Sequence, residues 1–106
     1  MSPSPKGRLG YNAALILSAL EAGTGYGLDV IERTGLSAGT VYPALRKLEE
    51  NGHIAGEWEE ASGAHSEGRP ARRYYRITRE GESALTAAKA EIAARQRALG
   101  WVDPNG

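Results

Sequence analysis

The chain has 106 residues, with thirteen basic side chains against thirteen acidic ones and neither cysteine nor phenylalanine. That length suits one domain with an aliphatic core; disulfides and thiolate metal sites are excluded, and no apolar run approaches the about 18 residues of a membrane span. The balanced charge argues against an indiscriminate basic coat for DNA, but it leaves room for a local basic patch.

Residues 1–7, rich in Pro, Ser and Gly, read as a flexible N-terminal arm. They lack the long apolar stretch of a secretion signal, so a cytoplasmic protein is expected. Residues 8–22 carry Leu9, Ala13, Ile16, Leu17 and Leu20 at helical spacing and predict a first helix, which the glycines at 23 and 25 break. Residues 26–34 predict a short second helix with Tyr26, Val30 and Ile31 on one side. Gly35 stops it at the position where a left-handed residue is favoured.

Ser37 can cap a third helix running to about Gly52, with Val41, Leu45 and Leu48 as its buried stripe. The connection of about three residues is of helix-turn-helix length. Pro43 is tolerated without loss only in a first turn. Either Thr40 is the true cap, or the helix begins at Ser37 and is distorted near the proline.

Beyond Gly52 the apolar period changes from helical to alternating. Ile54, Gly56 and Trp58 share one face of a first strand. Tyr75 and Ile77 share one face of a second, opposite Arg72, Tyr74 and Arg76. The loop between them completes a hairpin, with Trp58, Tyr75 and Ile77 expected in the core. Thr78 caps a long last helix in which Leu85, Ala88, Ile92, Leu99 and Val102 form a heptad-like stripe. The expected fold is mainly α with a small β-hairpin, in the order α-α-α-β-β-α, which is a winged helix-turn-helix. The division expected is an arm over 1–7, a DNA-binding domain over 8–77 and a dimerisation helix over 78–102.

Charge is unevenly placed. Glu49 to Glu67 holds six acidic residues and no Lys or Arg, whereas Gly68 to Arg79 holds five arginines and no acid. The third helix suits a major groove, and its first turns offer Ser37, Gly39, Thr40, Tyr42 and Pro43, followed by Arg46 and Lys47. Small residues allow close approach, and hydroxyls and helix-start N–H groups meet phosphate. Arg46 is the candidate for a bidentate guanine contact and Lys47 for a phosphate. Arg69, Arg72 and Arg73 of the wing are assigned to the backbone or minor groove. Competing with this, Arg72 and Arg76 face Glu57 and Glu59 and can be occupied by cross-strand ion pairs; DNA is favoured for the tip residues Arg69 and Arg73.

Two segments, LSAGTVYPALRKLEENGHI (Leu36–Ile54) and GRPARRYYRITREGESAL (Gly68–Leu85), together resemble the PadR family of bacterial transcriptional regulators, over roughly residues 9–99. The resemblance implies a winged-helix homodimer, usually a repressor on a palindromic operator and often released by a small ligand. It also places this chain in the short-tailed group with one C-terminal helix. Leu9, Leu85, Ala88, Ile92, Leu99 and Val102 are the expected dimer contacts, because that stripe has little to pack on within one winged helix. Trp101 is the candidate to stack on a small aromatic effector.

Other classes fit less well. The two histidines, His53 and His65, lack the spacing of a base beside a nucleophile, so no enzyme is expected. A zinc site joining them with Glu57 or Glu59 is disfavoured, because structural zinc prefers cysteine-rich sets. GTGYG at 23–27 follows a helix where a phosphate loop follows a strand. No cofactor is expected. The alternative is a winged helix that binds protein without specific DNA binding; steep loss of affinity with salt separates a DNA reader from it.

Overall fold

The computed structural model describes residues 9–23, 25–60 and 67–100. In chain order it contains α1 (Tyr11–Glu21), α2 (Gly27–Thr34), α3 (Ala38–Glu50), β1 (Ile54–Trp58), β2 (Arg73–Ile77) and α4 (Arg79–Ala98). This is the winged helix-turn-helix order expected, and each boundary has a local cause.

At the start of α2, Asp29 accepts a hydrogen bond from the Tyr26 N–H at 3.2 Å. At its end, Gly35 adopts φ 75° and donates its N–H to the Ile31 carbonyl at 2.9 Å. A residue with a Cβ takes that conformation only under strain, so glycine makes the sharp entry into the turn. Ser37 caps α3, its hydroxyl accepting the Thr40 N–H at 3.3 Å. Of the two readings of Pro43, the helix starting at Ser37 is the one found. Pro43 lies inside α3, beyond the first turn, so the Gly39 carbonyl receives no bond from it. Thr78 caps α4, accepting from the Gly81 N–H at 3.1 Å and donating to the Gly52 carbonyl at 2.6 Å. Glu80 and Glu82 in the first turn and Arg95 and Arg97 in the last complement the helix dipole.

The core gathers Ile16, Leu17 and Leu20 from α1, Val30 from α2, Val41, Leu45 and Leu48 from α3, Ile54 from β1, and Leu85 and Ala88 from α4. Here the structure corrects an expectation. Leu85 is 1% exposed and Ala88 5%, both within the chain's own core, and Ile92 and Leu9 pack against its edge. The first half of α4 therefore finds its burial in the domain that precedes it, chiefly beside α1, and does not need a second copy for it. Gly81 shows how close this packing is: a Cβ there would run into the His53 carbonyl.

β1 and β2 pair antiparallel, with Ile54 opposite Ile77, Gly56 opposite Tyr75 and Trp58 opposite Arg73. A further short rung lies on the other edge of β2. Tyr26 bridges to Tyr74, and the Tyr75 N–H donates to the Gly25 carbonyl at 2.7 Å. The segment after α1, read from sequence only as a break, thus joins the wing to the base of α2.

Candidate nucleic-acid interface

The N-terminal turns of α3 stand clear of the core. Ser37, Gly39, Tyr42, Pro43, Arg46 and Lys47 are exposed and Thr40 is half-buried, its hydroxyl accepting from that of Ser37 at 3.1 Å. Tyr42 lies against Gly27 at the start of α2, which fixes its ring at the junction of the two helices. Among the described residues no carboxylate holds Arg46 or Lys47. The helix that suits a major groove therefore presents two uncompensated cations one turn beyond a small, hydroxyl-bearing tip.

The wing differs from expectation. Arg69 makes a fork to Glu59, Nη1 to Oε1 at 2.5 Å and Nη2 to Oε2 at 2.9 Å, while its Nε donates to Glu67 at 2.7 Å. This hydrogen bonding by Arg69, ahead of the other charges nearby, lowers the Glu59 carboxyl to about 2. The same fork raises Arg69. Arg73 pairs with Glu49 of α3, and its guanidinium lies 5.2 Å from the Trp58 ring centroid. The two tip arginines favoured for DNA are thus the two tied to carboxylates. Arg72 and Arg76, for which cross-strand ion pairs competed, are exposed and make no salt bridge among the described residues, although the Arg72 charge still helps to hold the Glu59 carboxyl low. For Arg76 the register explains this, because it stands opposite Ala55, not opposite a glutamate; Arg72 lies alongside Glu59, whose two oxygens Arg69 already occupies.

Trp58 is a second correction. It is 67% exposed, not core. Burial along β1 falls from Ile54 outward, so the strand leaves the core before its last residue. Trp58 instead receives the guanidinium of Arg73 on its ring. Tyr75, packed against the core, has its hydroxyl pushed up, chiefly by burial. Tyr26 contacts Tyr74 edge to face at 5.4 Å, and the Arg72 guanidinium lies 5.4 Å from the Tyr26 centroid. Trp101, Val102 and His65 lie outside the described residues. Leu99 is 69% exposed.

A model of the transcriptional regulator PadR-like family matches residues 16–87, from within α1 into α4. The chain belongs to this family. PadR-like proteins are transcriptional regulators that bind DNA. A PadR family regulator from Clostridium difficile is 28% identical, with a TM-score of 0.72, over 86% of this chain and 96% of that one. Another from Eggerthella lenta is 29% identical, with a TM-score of 0.71, over 83% of this chain and 77% of that one. The regulator PcaV of Streptomyces coelicolor, solved with its natural ligand, has a TM-score of 0.73 at 22% identity, over 92% of this chain and 66% of that one, a likeness of fold alone. No curated protein sequence matches the chain.

Within this PadR-like frame other site types find little support. Among the described residues no three His, Asp or Glu side chains gather as metal ligands, and no helix is long and apolar enough to cross a membrane. A cleft of about 330 Å³ between α1 and the end of α2, lined by residues including Leu15, Ser18, Glu21 and Arg33, is partly open to solvent. The signal missed in the sequence was pairing between distant segments. Glu49 and Glu59 lie 24 and 10 residues from the arginines they hold, beyond the reach of any periodicity.

Proposed function

We propose that the chain is a sequence-specific regulator acting as a cytoplasmic homodimer, and that it represses transcription by occupying a palindromic operator. The observation that carries this reading is the exposed start of α3, where Arg46 and Lys47 project without carboxylate partners beside hydroxyls and helix-start N–H groups. Arg46 is assigned to a guanine edge and Lys47 to a phosphate, with Ser37, Gly39, Thr40, Tyr42 and Pro43 allowing close approach. Dimerisation is assigned to the outer part of α4, where residues 94–100 are exposed and Leu99 stands open. A small aromatic effector that weakens the DNA complex completes the reading, with Trp101 as its stacking residue.

Selection of genomic fragments by the purified chain, followed by footprinting, tests the core of this reading. It expects a few palindromic sites whose half-sites lie about 10 base pairs apart, each bound by a dimer. Random fragments that wash away as salt rises would leave only non-specific attraction, and the protein-binding alternative would then lead. For the interface, sedimentation of Leu99→Glu is expected to show monomer where the unaltered chain shows dimer, at an unchanged melting temperature. An unchanged sedimentation coefficient would move the interface elsewhere.

A further inference from the structure

One carboxylate joins both sides of the wing to the base of α2. Glu59, just past β1, takes the fork of Arg69 on both oxygens, at 2.5 and 2.9 Å. Its Oε1 also accepts the backbone N–H of Arg72 at 3.4 Å, and its Oε2 accepts the hydroxyl of Tyr26, the cap of α2, at 3.4 Å. The backbone contributes too, since the Glu59 N–H donates to the Arg72 carbonyl at 2.8 Å and extends the ladder past the ends of both strands. Arg69 has little left to offer another acceptor. Its Nε serves Glu67 and its Nη1 also reaches the Pro70 carbonyl at 3.3 Å, so four of its five N–H donors are used. Its side chain is 22% exposed and that of Glu59 18%. A DNA phosphate recruiting Arg69 would have to displace a bidentate carboxylate and would gain only a similar bond in exchange. Arg72 is in a different position: exposed, in no salt bridge, acted on by Glu59 only at longer range, and resting on the Tyr26 ring that the same Glu59 helps to hold.

We propose that Glu59 and Arg69 form a clasp that fixes the wing to the base of α2, that Arg69 is a positioning residue, and that Arg72 is the cation the wing delivers to the DNA backbone. This rests on the reading of the chain as a sequence-specific DNA binder. It reverses the role that a basic Gly-Arg-Pro turn suggests. The arginine nearest the turn organises the wing, and the one three residues later makes the contact.

The test is affinity for the fragment that the unaltered chain selects, and for random-sequence DNA, across a salt series, with Glu59→Gln, Arg69→Gln, their double variant, Arg69→Lys and Arg72→Gln. The clasp predicts that Glu59→Gln weakens the selected complex at least about fivefold, although removing a negative charge should by itself favour DNA. Arg69→Gln should match it, and the double variant should be no worse than either, because all three break one linkage. Random DNA should change less than about twofold for these three. Arg69→Lys, which keeps the charge but cannot span both Glu59 oxygens, should behave as Arg69→Gln does. It perturbs the fold least and carries the same decision. Arg72→Gln alone should flatten the salt dependence by about one phosphate contact. Binding that is unchanged or tighter in Glu59→Gln, or retained in Arg69→Lys and lost in Arg69→Gln, would overturn the clasp and return Arg69 to the DNA. An unaltered chain that selects no fragment overturns the DNA-reading assignment itself, and the clasp's role with it.

Discussion

The third helix and the wing carry similar cations in opposite states. On α3, Arg46 and Lys47 project from an exposed face with no carboxylate bound among the described residues. On the wing, Arg69 and Arg73 are each committed to a glutamate, Glu59 and Glu49. The difference follows from how each element is supported. A helix seated on the core through Val41, Leu45 and Leu48 needs nothing further to hold its outer face in place. A two-stranded hairpin is marginal by itself and must be tied down at several points. Its tip arginines serve that purpose, and the basic run that marks the wing in the sequence is partly a set of fastenings. Local charge density therefore overstates what the wing can offer to phosphate and understates what α3 can.

Removing the cation of α3 is the sharpest way to test this contrast. Arg46→Ala is expected to weaken the selected complex by about 10- to 100-fold and to relax the preference at one base position, as loss of a bidentate base contact does. Titration against a panel of single-base operator variants measures both effects. Equal weakening across the whole panel would make Arg46 a phosphate contact instead.

A middling effect is expected where the wing meets α3. Arg73 bonds Glu49 and lies over the exposed Trp58. Its guanidinium also lies 6.0 Å from the Tyr75 ring centroid, so Arg73→Ala removes three contacts at once and should lower unfolding stability by about 1 kcal/mol, since a half-exposed ion pair and partly solvated cation–π contacts are each worth less than that. Thermal unfolding gives the stability, and Trp58 emission reports the loss of its neighbour. A stability change near zero with an altered emission would mean that the pair shapes the wing without supporting it.

Much of this was legible from residue order. The alternating periods, the caps at Ser37 and Thr78, and the Gly35 stop are local signals, and the structure places them where the spacing does. What failed was anything depending on distance across the fold. Trp58 alternates with Ile54 and so reads as core, yet β1 has left the core by its fifth residue. Leu85 and Ala88 fit a heptad and suggest a partner, yet the chain's own core, chiefly α1, already covers them. The rung from Gly25 and Tyr26 to β2 has no sequence signature at all, because a single bridge shows no periodicity. The arginines illustrate the general point. A sequence shows that charges are near one another along the chain, but which of them are neutralised depends on carboxylates brought in by the register of β1 and β2 and by the flank of α3.

The smallest predicted effect is also the most selective for the wing. The fork of Arg69 holds the Glu59 carboxyl at about 2, below its ordinary 4.5. The folded-state value is depressed, so the stability the clasp contributes is fully present above about pH 4.5. It is lost as pH falls through the interval towards 2, where the unfolded chain takes up a proton that the folded chain resists. Glu59→Gln removes that proton-linked difference. Acid unfolding followed by circular dichroism should therefore show a shallower loss of stability between about pH 4.5 and 2 in Glu59→Gln than in the unaltered chain, with the two curves running parallel above pH 5. Both side chains keep some contact with solvent, so added salt should shrink the gap between the curves. A gap that salt leaves untouched would mean that the carboxylate acts through packing, and the contrast between a fastened wing and an open α3 would then rest on Arg73 and Glu49 alone.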